Sequence, residues 1–213
     1  GSGKSTLAYT IMGREGYEVI SGDIKLDGES VLGLKTHERA LRGITLAFQE
    51  PPQVRGVKMG LLLNAVINKR VGQEYITDIA PEYLRRVVEL TKVVGLGVDI
   101  VEREVNVGFS GGEKKRSELL QVMLADPKVV ILDEPDSGLD VDGVRLVGDV
   151  VKKLRDEGKA VLLITHYARV LKFVEPDEVS VLVNGRVVAH GGVELAYRIE
   201  EQGYSEFLKS VRT

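Results

Sequence analysis

Two short apolar runs, residues 129–132 and 161–164, flank a helix-periodic stretch at 144–157. Short apolar strands separated by a helix have the rhythm of a parallel βαβ unit, so the expected fold is α/β with a mostly parallel core sheet. Residues 43–48 form a further apolar strand, and residues 18–26 alternate as a strand that ends in the turn Asp27-Gly28. Residues 179–183 and 186–189, joined at Asn184-Gly185, read as a hairpin. Pro51-Pro52 breaks the pattern, after which residues 60–97 repeat apolar side chains near the 3.6 period. That inserts a helical subdomain, at about residues 51–118, between two strand-bearing halves. Helices are also expected at 7–12, 194–202 and 204–211. A chain of 213 residues fits one domain, long enough to bury a sizeable core.

Composition removes several classes of function. The chain carries 29 Lys plus Arg against 32 Asp plus Glu, a formal charge of −3, which gives no field for tight, non-specific nucleic-acid binding. With no Cys there are no disulfides, thiolate metal sites or Cys nucleophiles. The longest apolar stretches fall far below the roughly 18–20 residues that cross a bilayer, so no membrane insertion is expected. No signal peptide opens the chain, which makes the cytoplasm the expected location.

Gly1-Ser2-Gly3-Lys4-Ser5-Thr6 has the form of the end of a phosphate-binding P-loop, G-x-x-x-x-G-K-[ST]. The leading Gly would lie three residues before Gly1, and the strand that feeds such a loop is not in the sequence. The chain is therefore expected to be a fragment lacking roughly 30–40 residues of a complete unit. The alternative reading is a helix N-terminus behind a Gly-Ser turn. Either way, the helix that follows would aim its N–H groups at whatever lies before it.

The strand at 129–132 runs into Asp133 and Glu134. Adjacent residues on an extended strand point to opposite sides, so one acid could support Mg²⁺ while the other polarises a water. Solvated acids capping a strand end are the simpler alternative. Upstream, Phe109-Ser110-Gly111-Gly112-Glu113 opens an apolar helix through Ala125. Ser110 with Glu113 forms a capping box, which leaves the second Gly unexplained; two glycines allow backbone N–H groups to approach a phosphate. The basic triplet Lys114-Lys115-Arg116 reads as a solvated helix face. His166 follows the strand at 161–164, and Gln49 ends the strand at 43–48, where its amide could meet a metal or water. His37 and His190 lack such a setting and are read as structural.

In this order the residues resemble an ABC-type ATPase cassette. The opening hexapeptide resembles Walker A, Gln49 the Q-loop, residues 109–113 the signature motif, residues 129–134 Walker B, residues 137–140 the D-loop and His166 the switch histidine. More closely, Phe109 through Glu118, Ala47-Phe48-Gln49, residues 136–140, Ile164-Thr165-His166-Tyr167 and the segments around Asn184-Gly185-Arg186 and Gln202-Gly203-Tyr204 resemble the SufC group, the ATPases of iron–sulfur cluster assembly. Pro135, where that group often has Thr, and Pro51-Pro52 depart from its pattern without touching a catalytic side chain.

The resemblance implies ATP hydrolysis with ATP and Mg²⁺ as cofactors. Gly1, Ser2, Gly3, Lys4, Ser5 and Thr6 would bind nucleotide, with Lys4 on the β- and γ-phosphates. Ser5, Gln49 and Asp133 would support Mg²⁺, Glu134 would be the general base, and His166 would contact the γ-phosphate. Gln49, Glu134 and His166 make up the catalytic set. Ser110, Gly111 and Gly112 would serve the nucleotide held by a second copy in a head-to-tail dimer. It further implies SufB- and SufD-like scaffold partners docking near residues 56–68. Two rival readings are the nucleotide-binding subunit of a membrane transporter and a non-hydrolysing dimerisation switch.

Overall fold

The computed structural model describes residues 1–72 and 81–204. Along the chain run α1 (Lys4–Met12), β1 (Lys25–Leu26), β2 (Glu29–Ser30), α2 (Thr36–Arg42), β3 (Ile44–Ala47), β4 (Val54–Lys58), α3 (Met59–Arg70) and α4 (Pro81–Val93). A 3₁₀ turn at Val98–Glu102 leads to β5 (Glu104–Val105), α5 (Gly111–Ala125), β6 (Val129–Asp133), α6 (Val141–Asp156) and β7 (Ala160–Ile164). A second 3₁₀ turn, Ala168–Lys172, precedes β8 (Val179–Val183), β9 (Arg186–Gly191) and α7 (Val193–Gln202).

The core sheet has the order β3-β6-β7, all parallel, with Ile44 opposite Val129 and Val129 opposite Ala160. The expected βαβ unit is thus β6-α6-β7. Central β6 is apolar from Val129 to Leu132 because both its faces are covered. Val130 and Leu132 point into a core shared with α3, α4, α5 and α6, and Ile131 points the other way, against Ala8 and Met12 of α1 and Ile44, Leu46 and Ile164. Val130, Ile131 and Leu132 are all fully buried. No described helix is long and apolar enough to cross a membrane.

Several expectations change in detail. Residues 18–24 do not form a strand; only Lys25–Leu26 pairs, with Glu29–Ser30 across the Asp27-Gly28 turn. Ile20, almost fully exposed, meets no core here, and alternation without a buried face has nothing to hold it extended. Within the described residues the helical run at 60–97 holds α3 and α4, residues 73–80 lying outside them, and the expected helix at 204–211 lies outside the described residues except for its first. The antiparallel pair β4-β5 gives no sequence signal, since β5 is two residues long and β4 is mostly exposed. The hairpin β8-β9 turns at Asn184-Gly185 with both residues at positive φ, as an Asn-Gly turn requires.

Candidate active site

The first turn of α1 begins after Gly3, whose φ of 96° is one that residues with a Cβ rarely adopt. Ser2 is pinned from behind, because its carbonyl accepts the Gly185 N–H at 2.9 Å from the turn of the β8-β9 hairpin. Lys4 lies in that first turn, and its ammonium donates to Ser2 Oγ at 2.9 Å and approaches His166 Nδ1 at 3.4 Å. An ammonium has no acceptor, so Nδ1 accepts and the imidazole proton sits on Nε2. That nitrogen meets Glu134 Oε1 at 2.6 Å. The other carboxylate oxygen of Glu134 accepts from Gln49 Nε2 at 2.8 Å. Lys4, His166, Glu134 and Gln49, spread over more than 160 residues of sequence, therefore form one continuous polar chain at the ends of α1, β7, β6 and β3.

Glu134 is not on an extended strand. Its φ is 51°, in the left-handed region, and its N–H bonds to the Ile164 carbonyl at 2.8 Å. Asp133 and Glu134 do diverge as expected, but the cause is this backbone turn and not strand alternation. A non-glycine residue held there stores about 1–3 kcal/mol, a strain often found where a side chain must be aimed. Glu134 is directed at Gln49 and His166. Asp133 is 1% exposed and neither of its oxygens has a hydrogen-bond partner.

A buried carboxylate with two open oxygens fits a divalent cation. No group of three or more His, Asp or Glu side chains gathers around a common point among the described residues. That suits an ion held by one carboxylate together with phosphate oxygens and water, the usual manner of Mg²⁺. Ser5, half-buried in the first turn of α1, is the hydroxyl from the P-loop that would join Asp133. Gln49 spends its amide N–H on Glu134. Gly1 and Thr6 are exposed, and Ser2 and Gly3 are half-buried.

Ser110 caps α5, its Oγ accepting from Glu113 N at 3.2 Å while Glu113 Oε2 accepts from Ser110 N at 2.9 Å. The capping box read from the sequence is therefore present. Arg103 holds the Glu113 carboxyl below its ordinary range through a hydrogen bond, assisted by the Ser110 N–H. Ser110 and Gly111 are exposed, and nothing lies within 4 Å of where a Gly111 Cβ would stand. The hydrogen bonds of Ser110 stay within its own helix start and do not run to Lys4 or Glu134.

The expectation that Lys114-Lys115-Arg116 is a solvated face is wrong for Lys115, which is 9% exposed. Its ammonium donates to the Gln49 carbonyl at 2.6 Å and the Glu134 carbonyl at 3.0 Å, so α5 clamps the main chain beneath the side chains of Gln49 and Glu134. Desolvation lowers its pKa against the attraction of Glu118, Glu134, Asp133 and Asp136. Arg116 donates to the Gly95 carbonyl. One turn on from Lys115, Glu118 accepts the Phe48 N–H at 3.1 Å, next to Gln49. Asp136, 1% exposed, meets the Thr165 hydroxyl at 3.0 Å and so links the loop after β6 to the residue before His166. Sequence reasoning missed these supports. The i,i+3 spacing of Lys115 and Glu118, on a helix otherwise apolar toward the sheet, was the available signal.

Burial pushes the Glu118 carboxyl up to about 7, opposed by the Phe48 N–H and by Lys115. A folded-state pKa above the unfolded one means that the folded chain binds the extra proton. The associated stability is fully present below about pH 4.5 and is lost as pH rises through about 7. Glu118→Gln should flatten this slope, so wild type loses on the order of a few kcal/mol relative to the variant between those limits. Denaturant melts of both proteins at pH 5 and 8 check it, and parallel pH profiles would contradict it.

With this geometry in place, comparison with known proteins settles the class. A family model described as ABC transporter matches residues 1–137. The chain belongs to the ABC transporter family and is an ATPase cassette of that kind. Among curated relatives it is 45% identical to vegetative protein 296 of Bacillus subtilis (strain 168) over 96% of this chain and 78% of that one. It is 43% identical to the probable ATP-dependent transporter SufC of Escherichia coli (strain K12), over 96% and 83%, and 43% identical to the probable ATP-dependent transporter ycf16 of Pyropia yezoensis, over 96% and 82%. These relatives bear out the resemblance to the SufC group. Among solved structures, the ADP conformation of the ATP-binding cassette MJ1267 aligns at TM-score 0.74 with 22% identity, covering 97% of this chain and 83% of that one. The post-hydrolysis dimer of the cassette MJ0796, bound to ADP and Pi, aligns at 0.75 with 21% identity, covering 90% and 81%. At such identities the likeness is one of fold.

Proposed function

We propose that the chain is the energy-supplying ATPase of a Suf-like iron–sulfur cluster assembly complex in the cytoplasm. The observation that carries the catalytic part is the unbroken chain Lys4–His166–Glu134–Gln49 lying beside the unpartnered carboxylate of Asp133. Gly3 and the N-terminal N–H groups of α1 receive the phosphates, and Lys4 turns from Ser2 and His166 to the β- and γ-oxygens. Asp133, Ser5 and Gln49 would hold Mg²⁺, which when bound would neutralise charge on the transferring phosphate. Glu134, held by Gln49 and His166 on its two oxygens, takes the proton of the attacking water. His166 then faces the γ-phosphate side of Lys4.

Ser110, Gly111 and Gly112 have no such role within their own chain, and their exposed helix tip serves the nucleotide of a second copy. Each site is completed by dimerisation, which makes the isolated chain a weak ATPase. The scaffold partners, SufB- and SufD-like proteins, dock on the lobe around residues 56–68, where Leu61 is half exposed. The SufC resemblance favours this over a transporter subunit, although some relatives about 40% identical, from Streptococcus pyogenes, are named ABC transporter ATP-binding proteins. Affinity purification from the native organism tests the assignment. Cluster-scaffold proteins in the eluate without detergent support it, and a membrane-spanning partner retained in detergent overturns it.

A further inference from the structure

The capping box at the start of α5 uses only one oxygen of Glu113 for the Ser110 N–H. Its other oxygen, Oε1, accepts from Arg103 Nη1 at 2.7 Å. The same guanidinium lies 4.1 Å from the ring centroid of Phe109, which is buried. Arg103 therefore grips the residue before Ser110 and the third residue after it. A capping box stabilises a helix start wherever that start points, whereas a hold on both flanks fixes its direction. Arg suits the task because its planar fork can hydrogen-bond a carboxylate while its face lies on an aromatic ring.

The main chain of Arg103 is independently anchored. Its N–H bonds to the Ile100 carbonyl at 3.2 Å, and its own carbonyl accepts the N–H of Met59, the first residue of α3, at 2.8 Å. Side-chain truncation at 103 thus leaves the backbone tied at both ends. The pair is about one-third exposed on each side, so what it contributes to overall stability is small. An interaction of little use for folding, aimed at the exposed tip of α5, has its consequence in what that tip does.

We propose that Arg103 is a positioning residue for ATP hydrolysis, orienting Ser110 and the N–H groups of Gly111 and Gly112 toward the nucleotide of the second copy through Glu113 and Phe109. This rests on the dimeric reading of the site given above. Arg103 touches no nucleotide in that reading, and binding of ATP to the first chain does not involve it.

The test compares wild type, Arg103→Ala, Arg103→Lys and Ser110→Ala as full chains with partners present. It measures equilibrium affinity for a fluorescent ATP analogue, turnover at saturating ATP over a range of protein concentrations, and thermal midpoint. For Arg103→Ala the expected result is an affinity within about twofold of wild type and a turnover lower by roughly tenfold, with a melting midpoint nearly unchanged. Arg103→Lys, which keeps the ion pair with Glu113, should recover most of that turnover. If Arg103→Ala turns over like wild type while Ser110→Ala does not, the proposal is overturned and the dimeric reading stands. Loss of affinity, midpoint and turnover together in Arg103→Ala would show a merely structural role and overturn it as well. If Ser110→Ala itself keeps full turnover, the reading of the site fails and takes this proposal with it.

Discussion

Glu134→Gln lowers ATP turnover by roughly 10²- to 10³-fold while leaving nucleotide binding intact. The two oxygens of Glu134 face two donors, Gln49 Nε2 and His166 Nε2. A carboxamide of the same shape removes the base, and whichever way it is turned it presents its own N–H group to one of those donors. Lys4, Gly3 and Asp133, to which the proposal gives the phosphates and the ion, are unaltered. The variant should therefore load ATP and stay in the closed dimer, because the step that opens it no longer occurs. Phosphate release and size-exclusion chromatography with and without ATP report both effects. Turnover within threefold of wild type would remove Glu134 from the role of base.

Asp133→Asn acts on stability and on ligand response in opposite directions. The carboxylate is 1% exposed and has no hydrogen-bond partner, and burying a charge without hydrogen bonds is costly. A neutral amide of equal size relieves that cost, so the nucleotide-free protein should gain about 1–2 kcal/mol. The same change removes the charge that would hold Mg²⁺, and the stabilisation conferred by ATP with Mg²⁺ should fall to the level seen with ATP and chelator. Denaturant melts under the three conditions separate the two effects. A less stable nucleotide-free variant, or an undiminished Mg²⁺ response, would contradict the account.

What could be read from the residues was whatever depends on local pattern. The apolar runs at β6 and β7 announced a parallel unit, β6 because a strand covered on both faces carries apolar side chains on both, and β7 although Leu162 is exposed; the Asn184-Gly185 turn announced its hairpin through positive φ. The candidate residues Lys4, Gln49, Glu134 and His166 could be picked out because each stands at an element end in a recognisable order, and the fold brings those four ends together. Long-range support was not legible. Lys115 looked like one of three surface cations, and although its i,i+3 spacing with Glu118 could have marked it as inward-facing, that spacing does not tell that its ammonium reaches two carbonyls at residues 49 and 134. The left-handed turn at Glu134 was hidden for a similar reason, since it is set by the bond of its N–H to β7 and not by its neighbours in sequence.

The central claim is that each ATP is hydrolysed between two chains, Glu134 coming from one and Ser110 from the other. Mixing Glu134→Gln chains with Ser110→Arg chains before adding ATP tests it directly, because a mixed dimer contains one site with both defects and one with neither. Each variant alone should be nearly inactive, and the mixture should recover a substantial part of wild-type single-turnover hydrolysis. A mixture as inactive as its components would mean that Glu134 and Ser110 do not meet across a shared nucleotide.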